Sequence, residues 1–249
     1  MKQIESSANP LFKTIRRLAH PRKREPKILL EGRKLVRAAL QSGVEIETVL
    51  VSTRVTEEPI LSGDTPIVRT SETLFRKVSS LDTPDGILAV ARRPYRSLDE
   101  LPARGYVVVS AGIQDPGNLG AIARASEAAG AEALVVLEGS ADPFGPKALR
   151  GSMGSLLRIP VFEIDGARAL RDRGFRLAAL APRGGIDFRD VDWKPPVALL
   201  LGSEGGGLDE DSVSRSDLLV TIPMRGSVES LNVATACALV LYETIRSRA

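Results

Sequence analysis

The chain has 249 residues, enough for one large or two modest domains, and its 43% hydrophobic content fits a packed core rather than a disordered chain. It carries 34 Lys and Arg against 31 Asp and Glu, a formal +3. One histidine and one cysteine exclude a Cys/His zinc site and an internal disulfide, and no apolar run is long enough to span a bilayer or serve a signal peptide. The expectation is a cytoplasmic protein with no metal and no membrane association.

The N-terminal forty residues concentrate positive charge. Lys2, Lys13, Arg16, Arg17, Arg22, Lys23, Arg24, Lys27, Arg33, Lys34 and Arg37 face only Glu5, Glu25 and Glu31. A basic face at one end of a near-neutral chain points to a phosphate backbone. Asn9-Pro10 reads as a cap and first-turn proline opening a basic helix to about Ala19. Ile28–Leu30 reads as a strand, 32–42 as a helix stopped by Gly43, and Thr48–Val51 as a strand. Ser71 caps another helix, and Ile87–Ala91 is β-rich. This alternation predicts a small N-terminal α/β sandwich over residues 1–95. The charged, proline-bearing stretch that follows supplies a linker at 96–104.

A second alternation fills 105–249. YVVVSA (106–111) is an apolar strand, Asn118–Ala129 a helix stopped by Gly130, and Leu134–Leu137 a strand. Asp142-Pro143 reads as the cap of another helix. Phe175–Ala181, Val197–Leu201 and Leu218–Ile222 are strands, and a long helix runs from Ser230. Strands that are apolar throughout, separated by helices, predict a parallel sheet covered on both faces.

Three segments depart from ordinary element composition, each at the C-terminal end of a predicted strand, where open parallel sheets bind ligands. In QDPGNLGAIARASEAAG (114–130), Asn118 sits near the helix start and Arg124 lies among alanines. Asn118 fits a plain cap, and Arg124 either a solvated surface or a bidentate phosphate grip. In VALLLGSEGGGLDED (197–211), a strand runs into Gly202, Ser203, Glu204 and three glycines, which let a ligand touch the backbone. The loop has neither the Gly-Lys-Ser/Thr of a P-loop nor a G-x-G-x-x-G spacing, which weakens a nicotinamide-dependent oxidoreductase. In TIPMRGSVESLNVATACALVLYE (221–243), Ser230 suits a helix cap and Asn232 falls in the first turn, where asparagine is a poor helix former.

Together the three segments resemble the motifs of the SpoU family, ribose 2′-O-methyltransferases of the SPOUT class. Asn118, Gly120 and Arg124 match the first motif, 201–205 the second, and Ile222-Pro223-Met224 with 230–233 the third. KALRGSMGSLLRIPV (147–161) is similar to a further family stretch, and LLEGRKLVRAAL with GILAVARR resembles the family's N-terminal substrate-binding domain. The resemblance implies a deep trefoil knot in the C-terminal domain, a homodimer, and S-adenosylmethionine as methyl donor. It implies an RNA substrate, ribosomal RNA ahead of transfer RNA, with a catalytically silent RNA-binding protein as the alternative.

The resemblance also distributes roles. Arg124 matches the family's catalytic residue, often assigned as a base; because a guanidinium stays protonated, a phosphate clamp is the safer role. Asn118, Ser230 and Asn232 are expected to orient the ribose, the arginine and local backbone. Glu204 is expected to accept hydrogen bonds from Arg124 or Asn118. Gly202, Ile222, Met224 and Leu231, with Leu180 and Ala181, are expected to line the methyl-donor site. Arg16, Arg17, Lys147, Arg150 and Ser152 are expected to contact RNA.

Overall fold

The computed structural model describes residues 2–56 and 65–247. By internal packing the chain forms two compact units, Met1–Pro94 with Phe144–Arg158, and Tyr95–Pro143 with Ile159–Ala249. Among the described residues no helix is long and apolar enough to cross a membrane.

In chain order the first unit begins with β1 (Lys2–Ile4), α1 (Pro10–Ala19), β2 (Lys27–Glu31), α2 (Arg33–Gln41), β3 (Ile46–Ser52), β4 (Ile67–Thr70), α3 (Glu72–Arg76) and β5 (Ile87–Arg92). The sheet order is β1-β4-β3-β5-β2, parallel among β1, β4 and β3 and antiparallel where β5 meets β3 and β2. Asn9 caps α1 as expected, its Oδ1 accepting from the Leu11 N–H at 2.9 Å. Phe12, Ile15 and Leu18 recur at helical spacing and pack with Leu29, Leu50, Phe75 and Leu88. The opposite side of α1 leaves Lys13, Arg16 and Arg17 exposed.

The second unit follows with β6 (Tyr106–Ser110), α4 (Pro116–Ala128) and β7 (Ala133–Leu137). Then come α5 (Pro146–Ser152) and α6 (Ser155–Arg158), which pack in the first unit, α5 on β2 and α6 on α2. The sequence places this segment inside 105–249, yet its apolar residues Ala148, Leu149 and Leu156 are buried within the first unit. Gly154 makes the approach possible: its φ is +92°, and an added Cβ would come within 2.8 Å of the Ala38 side chain. The expected helix cap at Asp142-Pro143 is displaced, because α5 starts at Pro146 behind Gly145.

The chain returns to the second unit through β8 (Val161–Ile164), α7 (Arg168–Arg171), β9 (Arg176–Leu180), β10 (Ile186–Asp187), β11 (Val197–Leu201), α8 (Glu210–Ser214), β12 (Leu218–Thr221) and α9 (Val233–Arg246). All seven strands are parallel, in the order β10-β12-β9-β11-β6-β7-β8. Every residue of β6, β7 and β11 is buried, as strands covered on both faces require. One face holds Val107, Val109, Val135, Phe162, Leu177 and Leu200. Beyond β12 the chain comes back across the sheet so that α9 packs on α4. There Cys237 is fully buried, and burial pushes its thiol up to about 12 against a hydrogen bond with Ser126 of α4. It is therefore a neutral core side chain rather than a nucleophile.

Candidate active site

The C-terminal ends of β9, β11 and β12, three neighbouring strands, open onto a cleft of about 730 Å³. That volume suits a nucleoside-sized ligand. Leu180 and Ala181 line it from the end of β9, Gly202 from β11, and Ile222, Met224 and Leu231 from the segment after β12. All six residues expected at the methyl-donor site thus face one cavity.

The loop after β11 shapes its wall. Ser203 and Gly207 exchange backbone hydrogen bonds of 2.9 and 3.0 Å, closing residues 203–207 into a tight turn. Gly202 lies against this turn: a Cβ on it would fall 2.1 Å from the Gly207 carbonyl carbon. No side chain fits there, so the wall presents backbone N–H and C=O groups, the equipment for reading an adenine edge.

At the cleft edge the three motifs are joined by hydrogen bonds. The Asn232 Nδ2 donates to the Asn118 Oδ1 at 2.9 Å, and the Asn118 Nδ2 donates to the Glu204 Oε1 at 2.8 Å. Glu204 can only accept, which fixes the flip of Asn118, and Asn118 in turn fixes that of Asn232. Asn232 has a further task. Its Oδ1 accepts from the Ala234 and Thr235 N–H groups at 3.0 and 3.3 Å, making it the cap of α9. The cap expected at Ser230 and the first-turn position expected for Asn232 are both corrected: a side-chain acceptor facing two free N–H groups decides the start, two residues later. Asp115, rather than Asn118, caps α4, its Oδ1 accepting from Gly117 and Asn118 at 2.6 and 3.0 Å. This frees the Asn118 side chain for the relay.

Ser230 is exposed and lines the cleft. Arg124 is exposed on α4, outside the cleft lining, roughly 9 Å along the helix axis from Asn118. No hydrogen bond or ion pair with a described residue engages its guanidinium. Of the two donors expected for Glu204, only Asn118 reaches it.

The expected RNA contacts divide in the first unit. Arg16 and Arg17 are exposed, Arg17 lying 3.6 Å from Glu25, and Lys147 is exposed on α5. Arg150 instead donates to the Ser80 Oγ and lies 3.9 Å from the Glu31 carboxylate, which also accepts from Ser79 and Ser80. Ser152 is buried and spent on its own turn, donating to the Leu149 carbonyl oxygen at 2.8 Å, which leaves it no surface to offer RNA. Sequence reasoning missed Arg183 and Glu229, which also line the cleft. Their signal was positional: one lies three residues past β9, the other directly before Ser230.

A profile of the SpoU rRNA methylase family matches residues 105–242, and one of an MRM3-like substrate binding domain matches residues 9–89. The chain belongs to the SpoU rRNA methylase family. Among SpoU relatives, the Bacillus subtilis (strain 168) 23S rRNA (guanosine(2553)-2′-O)-methyltransferase RlmP is 35% identical, over 97% of this chain and 98% of that one. An AdoMet-bound rRNA methyltransferase from Sinorhizobium meliloti superposes with a TM-score of 0.88 at 31% identity, covering 98% and 97% of the two chains. The SpoU methyltransferase AviRb from Streptomyces viridochromogenes, in complex with AdoMet, does so with a TM-score of 0.87 at 28% identity, covering 96% and 98%.

Proposed function

We propose that this chain transfers a methyl group from S-adenosylmethionine to a ribose 2′-hydroxyl in structured RNA, with ribosomal RNA as substrate. The observation that carries the reading is the hydrogen-bonded chain Asn232–Asn118–Glu204 at the mouth of a glycine-walled cleft, uniting three motifs distant in sequence. Relatives named as 23S rRNA 2′-O-methyltransferases support the substrate class.

The cleft fits the donor. Its volume, the backbone wall at Gly202 and the apolar Leu180, Ile222 and Leu231 suit an adenosine. When bound, S-adenosylmethionine supplies a methyl group on a sulfonium that departs as a neutral thioether, so the reaction asks for no metal. The protein's tasks are alignment and management of one proton. Holding the reacting atoms about 3–3.5 Å apart contributes about 7–11 kcal/mol. Asn118, Asn232 and Ser230 position the ribose, and Glu204 holds Asn118 in its rotamer. Arg124, with no hydrogen-bond or ion-pair partner among the described residues, is free to grip an RNA phosphate and stabilise alkoxide character at the hydroxyl, while the proton passes to water or a phosphate oxygen.

The domain at 1–95 serves as the RNA reader, through Arg16 and Arg17 on the basic side of α1 with Lys147 of α5, and 105–249 as the catalytic domain. The knot implied by the SpoU resemblance accords with the return of the chain from β12 across the sheet to lay α9 on α4. A homodimer is supported by Leu239, Tyr242 and Ile245, which are 42, 55 and 37% exposed at successive turns of α9. Such a protein acts in the cytoplasm, where its RNA is made. Incubation with methyl-labelled S-adenosylmethionine and separated ribosomal and transfer RNA tests the reading. Label is expected in a ribose-methylated nucleotide of ribosomal RNA. Label only in transfer RNA replaces the substrate, and no transfer to either leaves a silent RNA binder.

A further inference from the structure

The cleft is lined by three ionisable side chains, Arg183, Glu204 and Glu229. Glu204 is engaged by Asn118. Arg183 and Glu229 are both exposed, and no hydrogen bond or ion pair joins either to a described residue, the two being unpaired with each other as well. The floor is of another kind: Leu201, Gly202 and Ile222 are buried and bring only apolar groups and backbone. A ligand seated here meets an uncharged floor, two rim charges of opposite sign without partners among the described residues, and the Glu204 carboxylate held by Asn118.

That pattern matches the two ends of the methyl donor. The adenosine is neutral and tolerates a dry floor. The amino-acid end carries a carboxylate and an ammonium, which lose too much hydration to enter unpaired. We infer that Arg183 and Glu229 form the subsite for the zwitterionic amino-acid end, the Arg183 guanidinium taking the carboxylate and the Glu229 carboxylate the ammonium. The inference rests on S-adenosylmethionine being the donor, and it sets the donor's direction: nucleoside down, amino acid at the rim. A planar guanidinium holds a carboxylate with two parallel hydrogen bonds, a stronger grip than a neutral pair.

Calorimetric titration of wild type, Arg183→Gln and Glu229→Gln with three probes tests it: S-adenosylhomocysteine, decarboxylated S-adenosylmethionine and 5′-methylthioadenosine. Both substituted residues are exposed, so the variants are expected to fold. Each substitution is expected to weaken S-adenosylhomocysteine by roughly ten-fold or more, the scale of a lost charged hydrogen bond. Methylthioadenosine, which lacks the amino-acid end, is expected to bind all three proteins within two-fold. Decarboxylated S-adenosylmethionine, which keeps the amine, is expected to respond to Glu229→Gln and not to Arg183→Gln. Unchanged S-adenosylhomocysteine affinity in the variants overturns the subsite and leaves the donor intact, as when Arg183 serves RNA phosphate instead. A parallel loss of methylthioadenosine also overturns it. A wild type that binds neither S-adenosylhomocysteine nor S-adenosylmethionine removes the functional reading itself.

Discussion

Asn232 spends the two halves of its amide separately. The oxygen caps α9, and the nitrogen steadies Asn118. Aspartate caps a helix as well as asparagine but has no N–H to give. Asn232→Asp is therefore expected to keep its melting temperature within about 2 °C while kcat falls roughly ten-fold or more. Asn232→Ala loses both roles, adding about 1 kcal/mol of destabilisation. Thermal unfolding beside steady-state kinetics checks the pair; an Asp variant with undiminished kcat ends the positioning role. For Arg124 the question is charge against fork. Arg124→Ala is expected to abolish turnover. Arg124→Lys is expected to recover little, because an ammonium cannot grip a phosphate through two parallel bonds. An alanine variant within a few-fold of wild type in single-turnover rate would falsify both the clamp and the base.

Among the elements, the loop after β11 has the narrowest tolerance. Gly202→Ala must spread the Ser203–Gly207 turn, since its new methyl would stand 2.1 Å from backbone. The expected outcome is loss of S-adenosylhomocysteine binding in calorimetry together with a lower melting temperature; normal affinity would mean the wall is not what the donor touches. Elements of this kind were legible in sequence where apolar runs end in special residues, as at β6, β9, β11 and β12, while the cleft residues Gly202, Ile222, Met224 and Leu231 came from the family resemblance of the motifs. Caps were legible only in part. The Asx-Pro signature starts α1 at Asn9-Pro10 and α4 at Asp115-Pro116, yet at Asp142-Pro143 it starts nothing, and α5 begins at Pro146. A cap side chain states that a helix can begin; packing decides whether it does. The three-residue β1 and four-residue β4 and β8 escaped because short strands are defined by distant partners, such as Lys2 opposite Val68. The Asn118–Glu204 bond was one of two alternatives in sequence, and the register of three strand ends chose between them.

For the molecule as a whole, the proposed homodimer would cover the exposed apolar stripe of Leu239, Tyr242 and Ile245 on the last helix. Tyr242→Glu places a charge in its middle and is expected to convert a dimer to monomer in light scattering; a wild type that is monomeric at micromolar concentration would remove the dimer. The α5–α6 pair carries a different consequence. A deletion mutant beginning at Tyr95 would look like a clean way to isolate the methyl-transfer body. It would in fact keep Leu149 and Leu156 while discarding β2 and α2, the surfaces that keep them dry. Such a fragment should come out of cells sticky and prone to precipitate. Its silence in an assay would then report a raw hydrophobic wound rather than a missing RNA reader.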